Sequence, residues 1–217
     1  MNRLFDCADP DQRALGIAAA VAAIRGGELV VLPTDTVYGV GADPFDAAAV
    51  NALLAAKGRG RDMPVGVLVG SWDTIEGLTP VVPATTRELI RAFWPGALSL
   101  VVPQAPSLAW DLGDAGGTVM VRMPLHPVAI EVLREVGPMA VSSANVSGSP
   151  AAVDAAQAHR QLGSAVGVYL DAGPSTRQAA STILDLTGAA PRILRDGPVD
   201  ARQIGAVLEV DPAELTA

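Results

Sequence analysis

Apolar and polar positions run along this chain in alternating blocks, some at helical spacing and some at strand spacing. Asp9-Pro10 is a cap followed by a first-turn proline, and Leu15, Ala18, Val21, Ala22 and Ile24 then share one face until Gly26-Gly27 closes the helix. Leu29 to Leu32 is a short run rich in β-branched residues, bounded by that double glycine and by Pro33, and predicts a buried strand. A polar turn, Thr34-Asp35-Thr36, leads through Tyr38 to Gly39-Val40-Gly41. Asp46 then caps a helix that carries Val50, Leu53 and Leu54 on one face and ends at Lys57-Gly58-Arg59. A strand that empties hydroxyls onto a glycine turn, followed by a helix ending in two cations, suits an anion site. Open α/β sheets bind ligands just outside their strand ends, so the location fits as well.

The same grammar continues. Pro64 to Val69 predicts a strand, Ser71 the cap of a short helix to Leu78, and Thr85 or Thr86 the start of a helix stopped by Pro95-Gly96. Ala97 to Val102 and Thr118 to Met123 are two strong strands separated by a loop rich in Pro, Gly and Asp. In the second of these, Thr118, Met120 and Arg122 fall on one face. A helix follows from His126-Pro127 to Val136, a strand from Met139 to Ser142, and then the polar loop SSANVSG. Asp154 caps a helix to Leu162, Val168 to Leu170 is a short strand, and Ser181 to Leu186 and Arg192 to Arg195 lie close enough for a hairpin. Asp200 caps a last helix ending near Leu208, and the final nine residues read as frayed. Strands and helices alternating in this way predict an α/β fold: one mixed sheet with flanking helices. A single domain over residues 1–217, with its core roughly 10–208, is expected for this length.

Composition narrows the class. Half the 217 residues are apolar and 18% are charged, which is globular and not disordered. No apolar run reaches the roughly 18 residues of a membrane span, and the opening MNRLFDCADPDQR has no apolar signal region. The single cysteine, Cys7, near an expected mobile end, excludes a disulfide framework, so a cytoplasmic location is expected. The net charge of −8 and pI near 4.6 argue against broad contact with a phosphate backbone, but not against a local basic pocket.

Familiar catalytic signatures are missing. There is no G-x-S-x-G, P-loop, G-x-G-x-x-G or HExxH, and Cys7 has no partner for nucleophilic work. His126 and His159 sit near expected helices as cap or surface residues. What remains is a set of cations and hydroxyls at element ends. Lys57 and Arg59 suit a helix C-terminus on dipole grounds alone. Arg122, inside TVMVRM, must be paired or face a cleft. Ser142 to Gly148 is denser in donors than a plain turn needs, and Arg195 follows the apolar run of its strand. If Lys57, Arg59, Arg122 and Arg195 converge, they make a pocket for a triphosphate and a carboxylate.

LPTDTVYGVGAD, KGRGRDMPV, FWPGALSLVV, VMVRMPLHP, SSANVSG, STILDLTG and PRILRDG occur in this order over roughly residues 25 to 200. Together they resemble the YrdC-like family of L-threonylcarbamoyladenylate synthases. The resemblance implies a twisted open α/β sheet around a large, concave, positively charged cavity. It also implies a reaction in which L-threonine, bicarbonate and ATP give L-threonylcarbamoyladenylate and pyrophosphate, for the threonylcarbamoyl modification of adenosine 37 in tRNA. By the same resemblance the signature residues are Lys57, Arg59, Ser143 and Asn145. ATP contacts fall on Arg59, Thr118, Asn145 and Arg195, and threonine contacts on Thr36, Arg122, Ser143 and Ser181. Mg²⁺ is expected to come with the nucleotide phosphates, with no protein metal ligands. Transfer enzymes of the tRNA pathway are the expected partners, tRNA contact is expected to be weak or indirect, and no membrane is involved. Leu68 stands where the family usually has a histidine, and Gly60 where it has a proline. The rival readings are a double-stranded RNA or tRNA-binding module of the same fold, and an enzyme that adenylates carbamoyl phosphate.

Overall fold

In a computed structural model, residues 3–216 are described. Ten strands form one sheet in the order β1-β8-β2-β3-β7-β4-β6-β5-β9-β10. The strands are β1 (Arg3–Asp6), β2 (Val30–Leu32), β3 (Gly39–Ala42), β4 (Gly66–Leu68), β5 (Leu98–Pro103), β6 (Thr118–Arg122), β7 (Met139–Ser143), β8 (Val168–Asp171), β9 (Thr182–Asp185) and β10 (Arg192–Arg195). The sheet is mixed. Strand β8 runs parallel to β1 and β2, β4 to β6 and β5 to β9, whereas the other neighbours are antiparallel.

Seven α-helices cover it: α1 (Pro10–Arg25), α2 (Ala47–Ala56), α3 (Ile75–Leu78), α4 (Ala84–Phe93), α5 (Pro127–Val136), α6 (Ala155–Leu162) and α7 (Ala201–Leu208). Strand alternation divides the core into two layers. Val30, Leu32 and Leu68 join Met139, Leu170 and the apolar faces of α1 and α5. Val31, Val67 and Val69 point the other way and pack with α2, α3, α4, α6 and α7. The caps follow the sequence: Asp9 accepts from Asp11 N and Gln12 N, Asp46 from Ala48 N and Ala49 N, and Asp200 forms a capping box with Gln203.

Several expectations change. The N-terminal stretch is edge strand β1, paired with β8, and Cys7 beyond it is buried. The glycine stretch after Tyr38 is not merely a turn. It is β3, an interior strand between β2 and β7 whose glycines admit neighbouring side chains. Residues of the expected frayed end form a 3₁₀ turn, Pro212–Leu215, whose Leu215 is fully buried. The ordered core therefore extends past 10–208 at both sides. Ser71 makes no side-chain cap bond, and the fourth helix starts at Ala84, behind Pro83.

Candidate functional site

A cavity of about 450 Å³ opens where β4, β6, β7 and β9 carry residues onto the sheet face shared with Leu68. Its wall holds three cations, Arg59, Arg122 and Arg195, and the hydroxyls of Thr34, Thr36, Thr118, Ser142, Ser143 and Ser181. Among the described residues, no carboxylate is on the wall. The β-period of TVMVRM therefore does what it predicts: Thr118, Met120 and Arg122 all face the cavity. Gly66 and Leu68 of β4 do so as well.

Arg122 is 5% exposed. Its Nη1 donates to Thr36 Oγ1 at 2.9 Å and its Nη2 to Asp35 Oδ1 at 3.3 Å. Burial, only partly offset by Asp35, pushes its pKa down; a guanidinium is basic enough to stay charged all the same. Asp35, itself 4% exposed, also accepts from Leu125 N at 2.9 Å, and so joins the β2–β3 turn to the entry of α5.

The K-G-R turn has a mechanical reading. Gly58 lies in the left-handed region (φ +59°), while Gly58 N bonds to Ala55 O and Arg59 N to Leu54 O. This reversal sends the residues on either side of Gly58 in different directions. Arg59 reaches the cavity, where Nη1 donates to Ser142 Oγ at 3.2 Å and Nε is buried without a partner among the described residues. Lys57 goes inward. It is 2% exposed, and Nζ donates to the main-chain oxygens of Ser143 and Asn145.

Three of the four expected cations thus line the cavity, and Lys57 stands behind it and holds the SSAN loop. Desolvation, and then the nearby Arg59 charge, lower its pKa to about 8, against 10.5 for an ordinary lysine. Between those values the unfolded chain binds a proton that the folded chain does not, so this group makes stability rise with pH across that window. Burial raises the pKa values of Cys7, Tyr38 and Tyr169, which opposes this rise above about pH 9, so the Lys57 effect should be read in urea unfolding as a stability difference between wild type and Lys57→Met that grows from about pH 8 to 10.5. The variant should also be less stable at every pH, because two buried carbonyls lose a donor.

Arg195 follows a register shift between Ile193 and Arg195, the kind of irregularity that re-aims a side chain. Its Nε donates to Ser181 O at 2.9 Å and its Nη2 to Ser181 Oγ at 3.1 Å. The next turn needs Gly197, because a Cβ there would lie 2.7 Å from Ala180 O and in contact with Thr182 N. Ser181 Oγ in turn sits 2.8 Å from Ser99 Oγ, a buried hydroxyl on β5.

A model of the Sua5/YciO/YrdC family, described as telomere recombination, matches residues 22–197. The chain belongs to this family. A Mycobacterium leprae protein provisionally named threonylcarbamoyl-AMP synthase is 76% identical over 100% of the chain and 99% of its own length. The threonylcarbamoyl-AMP synthase of Bacillus subtilis is 39% identical over 88% of the chain and 56% of its own length. The structure of Pyrococcus abyssi Sua5 complexed with L-threonine superposes with a TM-score of 0.87 at 32% identity, covering 98% of this chain and 63% of that one. The chain thus spans less than two thirds of the last two proteins.

Against the family pattern, Thr36, Arg59, Thr118, Arg122, Ser143, Ser181 and Arg195 all stand on one cavity wall. Asn145 does not. Its Nδ2 donates to Val146 O and Ser149 O, and its Oδ1 is buried with no partner among the described residues. His126 caps α5 by position, but with no side-chain cap bond. Asp35 and Ser99 escaped sequence reasoning as site residues, while Ser142 was singled out only as part of its donor-rich loop. Ser99 had a signal, since it is the one polar residue in ALSLVV. Asp35 had another, as an acid inside an otherwise uncharged turn.

Proposed function

We propose that the chain is a threonylcarbamoyl-AMP synthase, an ATP-using nucleotidyltransferase. The observation that carries this is two anion sites in one cavity: Arg122 backed by Asp35 and Thr36, and the separate guanidiniums of Arg59 and Arg195. The first suits the carboxylate of L-threonine, with Thr36, Ser143 and Ser181 around it. The second suits the phosphates of ATP, with Thr118 beside them. The buried Oδ1 of Asn145 lacks a donor, so it can accept from the nucleotide if the loop adjusts. Lys57 acts through the loop it holds.

The chemistry asks for position and charge neutralisation more than for a nucleophile. The threonine amine attacks the carbon of bicarbonate or carbon dioxide and forms a carbamate, with loss of water in the bicarbonate case. A carbamate oxygen then attacks the α-phosphorus, and pyrophosphate leaves. Arginines that already point into the cavity neutralise charge gathering on the phosphates. Mg²⁺ would be held by phosphate oxygens and water, since the wall offers hydroxyls and guanidiniums but no carboxylate. It would add charge neutralisation at the leaving pyrophosphate.

The whole sheet serves as one catalytic domain, residues 1–217, working in the cytoplasm with the transfer enzymes that consume the labile adenylate. No helix among the described residues is long and apolar enough to cross a membrane. A net charge of −8 disfavours the RNA-binding reading and keeps tRNA contact weak. Pure protein should release pyrophosphate only when ATP, L-threonine, bicarbonate and a divalent cation are all present. Release that persists without threonine would sink the synthase reading, and an RNA-binding module would release none.

A further inference from the structure

The hydroxyls around Arg122 have a fixed direction. Thr34 has one hydroxyl proton, and it goes to Val37 O at 2.6 Å. Thr34 Oγ1 is therefore the acceptor in its 2.9 Å contact with Thr36 Oγ1, and Thr36 must donate. Thr36 N, at 3.1 Å, takes the remaining acceptor site of Thr34. The Thr36 oxygen accepts from Arg122 Nη1 at 2.9 Å. With its proton spent on Thr34 and one lone pair on Arg122, Thr36 has one lone pair left on the cavity wall. It can only accept.

Beside it, Arg122 can only donate. Asp35, buried against Nη2, cancels one positive charge without reaching the wall. An obligate donor and an obligate acceptor thus stand side by side, and the charge of that donor is answered from behind by Asp35. That is the complement of an α-amino acid: the carboxylate on Arg122 and an amino N–H on Thr36. Once the ammonium of threonine has given up a proton to solvent, an amine held through its N–H keeps its lone pair free to attack carbon. A plain carboxylic acid would leave the Thr36 lone pair unmatched and its own charge only half answered.

We propose that Thr34 and Asp35 are positioning residues that set the polarity of the amino-acid site and so select for an α-amine. Thr34 does so by consuming the Thr36 proton, and Asp35 by offsetting the Arg122 charge. The inference rests on the synthase reading, since it assumes L-threonine is the ligand at Arg122. It goes beyond that reading in assigning the choice between amine and no amine to two residues that need not bind the substrate.

The test is a calorimetric titration of the full chain with L-threonine and with 3-hydroxybutyrate, which is threonine without its amine. Asp35→Asn keeps an acceptor for Leu125 N and Arg122 but removes the charge. Thr34→Val releases the Thr36 proton, whereas Thr34→Ser keeps it engaged. The wild type should strongly prefer threonine. Asp35→Asn and Thr34→Val should each cut the threonine-to-hydroxybutyrate ratio by about tenfold, the worth of roughly one hydrogen bond, and Thr34→Ser should restore it. If both variants weaken the two ligands by the same factor, or leave the ratio unchanged, the residues are merely structural and the inference falls. A folded wild type that binds neither ligand would overturn the synthase reading, and this inference with it.

Discussion

Arg122→Ala should nearly abolish threonine use while leaving a folded protein of lower stability. Two losses combine at this residue. The cavity loses the guanidinium proposed to face the substrate carboxylate, a charge-assisted contact in a partly dry site. The interior loses the counter-ion of Asp35, and removing one partner of a buried pair costs about 3–5 kcal/mol. Asp35 is 4% exposed and its second oxygen already has no partner among the described residues, so little else is at hand to compensate. Arg122→Lys separates the two losses. A lysine keeps the charge near Asp35, but a single ammonium cannot reproduce the fork that spans Thr36 and Asp35. It should recover much of the melting temperature and little of the threonine affinity. The measurement is a threonine titration of pyrophosphate release at saturating ATP, beside a thermal melt. A folded Arg122→Ala with a wild-type titration would show that the carboxylate binds elsewhere.

How much of this was legible beforehand depended on range. Helices announced themselves through local chemistry: Asp9 with Pro10, Asp46, Pro127 and Asp200 each marked a start that the structure keeps within a residue. The strands of the interior were legible where apolar runs were dense, as in β5 and β6. Strand β3 was not, because Gly39, Val40, Gly41 and Ala42 have little intrinsic strand preference. Their place is decided by β2 and β7 on either side. Edge strand β1 failed for a related reason: most of its side chains are exposed, so burial left no pattern.

The site divides along the same line. Arg122 was legible because a charge inside an apolar strand is costly unless used. Lys57 looked like its neighbour Arg59, and only the left-handed Gly58 between them shows that one turns inward and the other outward. No local pattern could bring Ser99 to Ser181, since the two lie 82 positions apart and meet only through the parallel pairing of β5 with β9. The antiparallel pairing of β9 with β10 decides what Arg195 touches.

Arg59→Ala and Arg195→Ala should each weaken ATP use, by about 1.5–3 kcal/mol in kcat/KM, the worth of one charged contact to phosphate. The geometry makes both arginines available. Arg59 spends one donor on Ser142 and leaves Nε unpaired, while Arg195 spends two on Ser181. Neither has a carboxylate partner among the described salt bridges, unlike Arg13, Arg61 and Arg87 on the surface. Burial and the nearby charge of Arg59 push the Arg195 pKa down, so the Arg195 charge is held beside a like charge. An anion between them relieves that repulsion, which is why a triphosphate should gain from both at once. The two variants should differ in one respect. Among the described residues the Arg59 side chain hydrogen-bonds Ser142 alone, so its loss should leave the threonine KM near the wild-type value. Arg195 fixes the Ser181 hydroxyl on the threonine side, so its loss should raise the threonine KM as well. Steady-state kinetics with ATP varied at saturating threonine, then the reverse, distinguish the two patterns. Wild-type ATP kinetics in both variants would mean that these arginines serve the fold alone and that the phosphates bind outside this cavity.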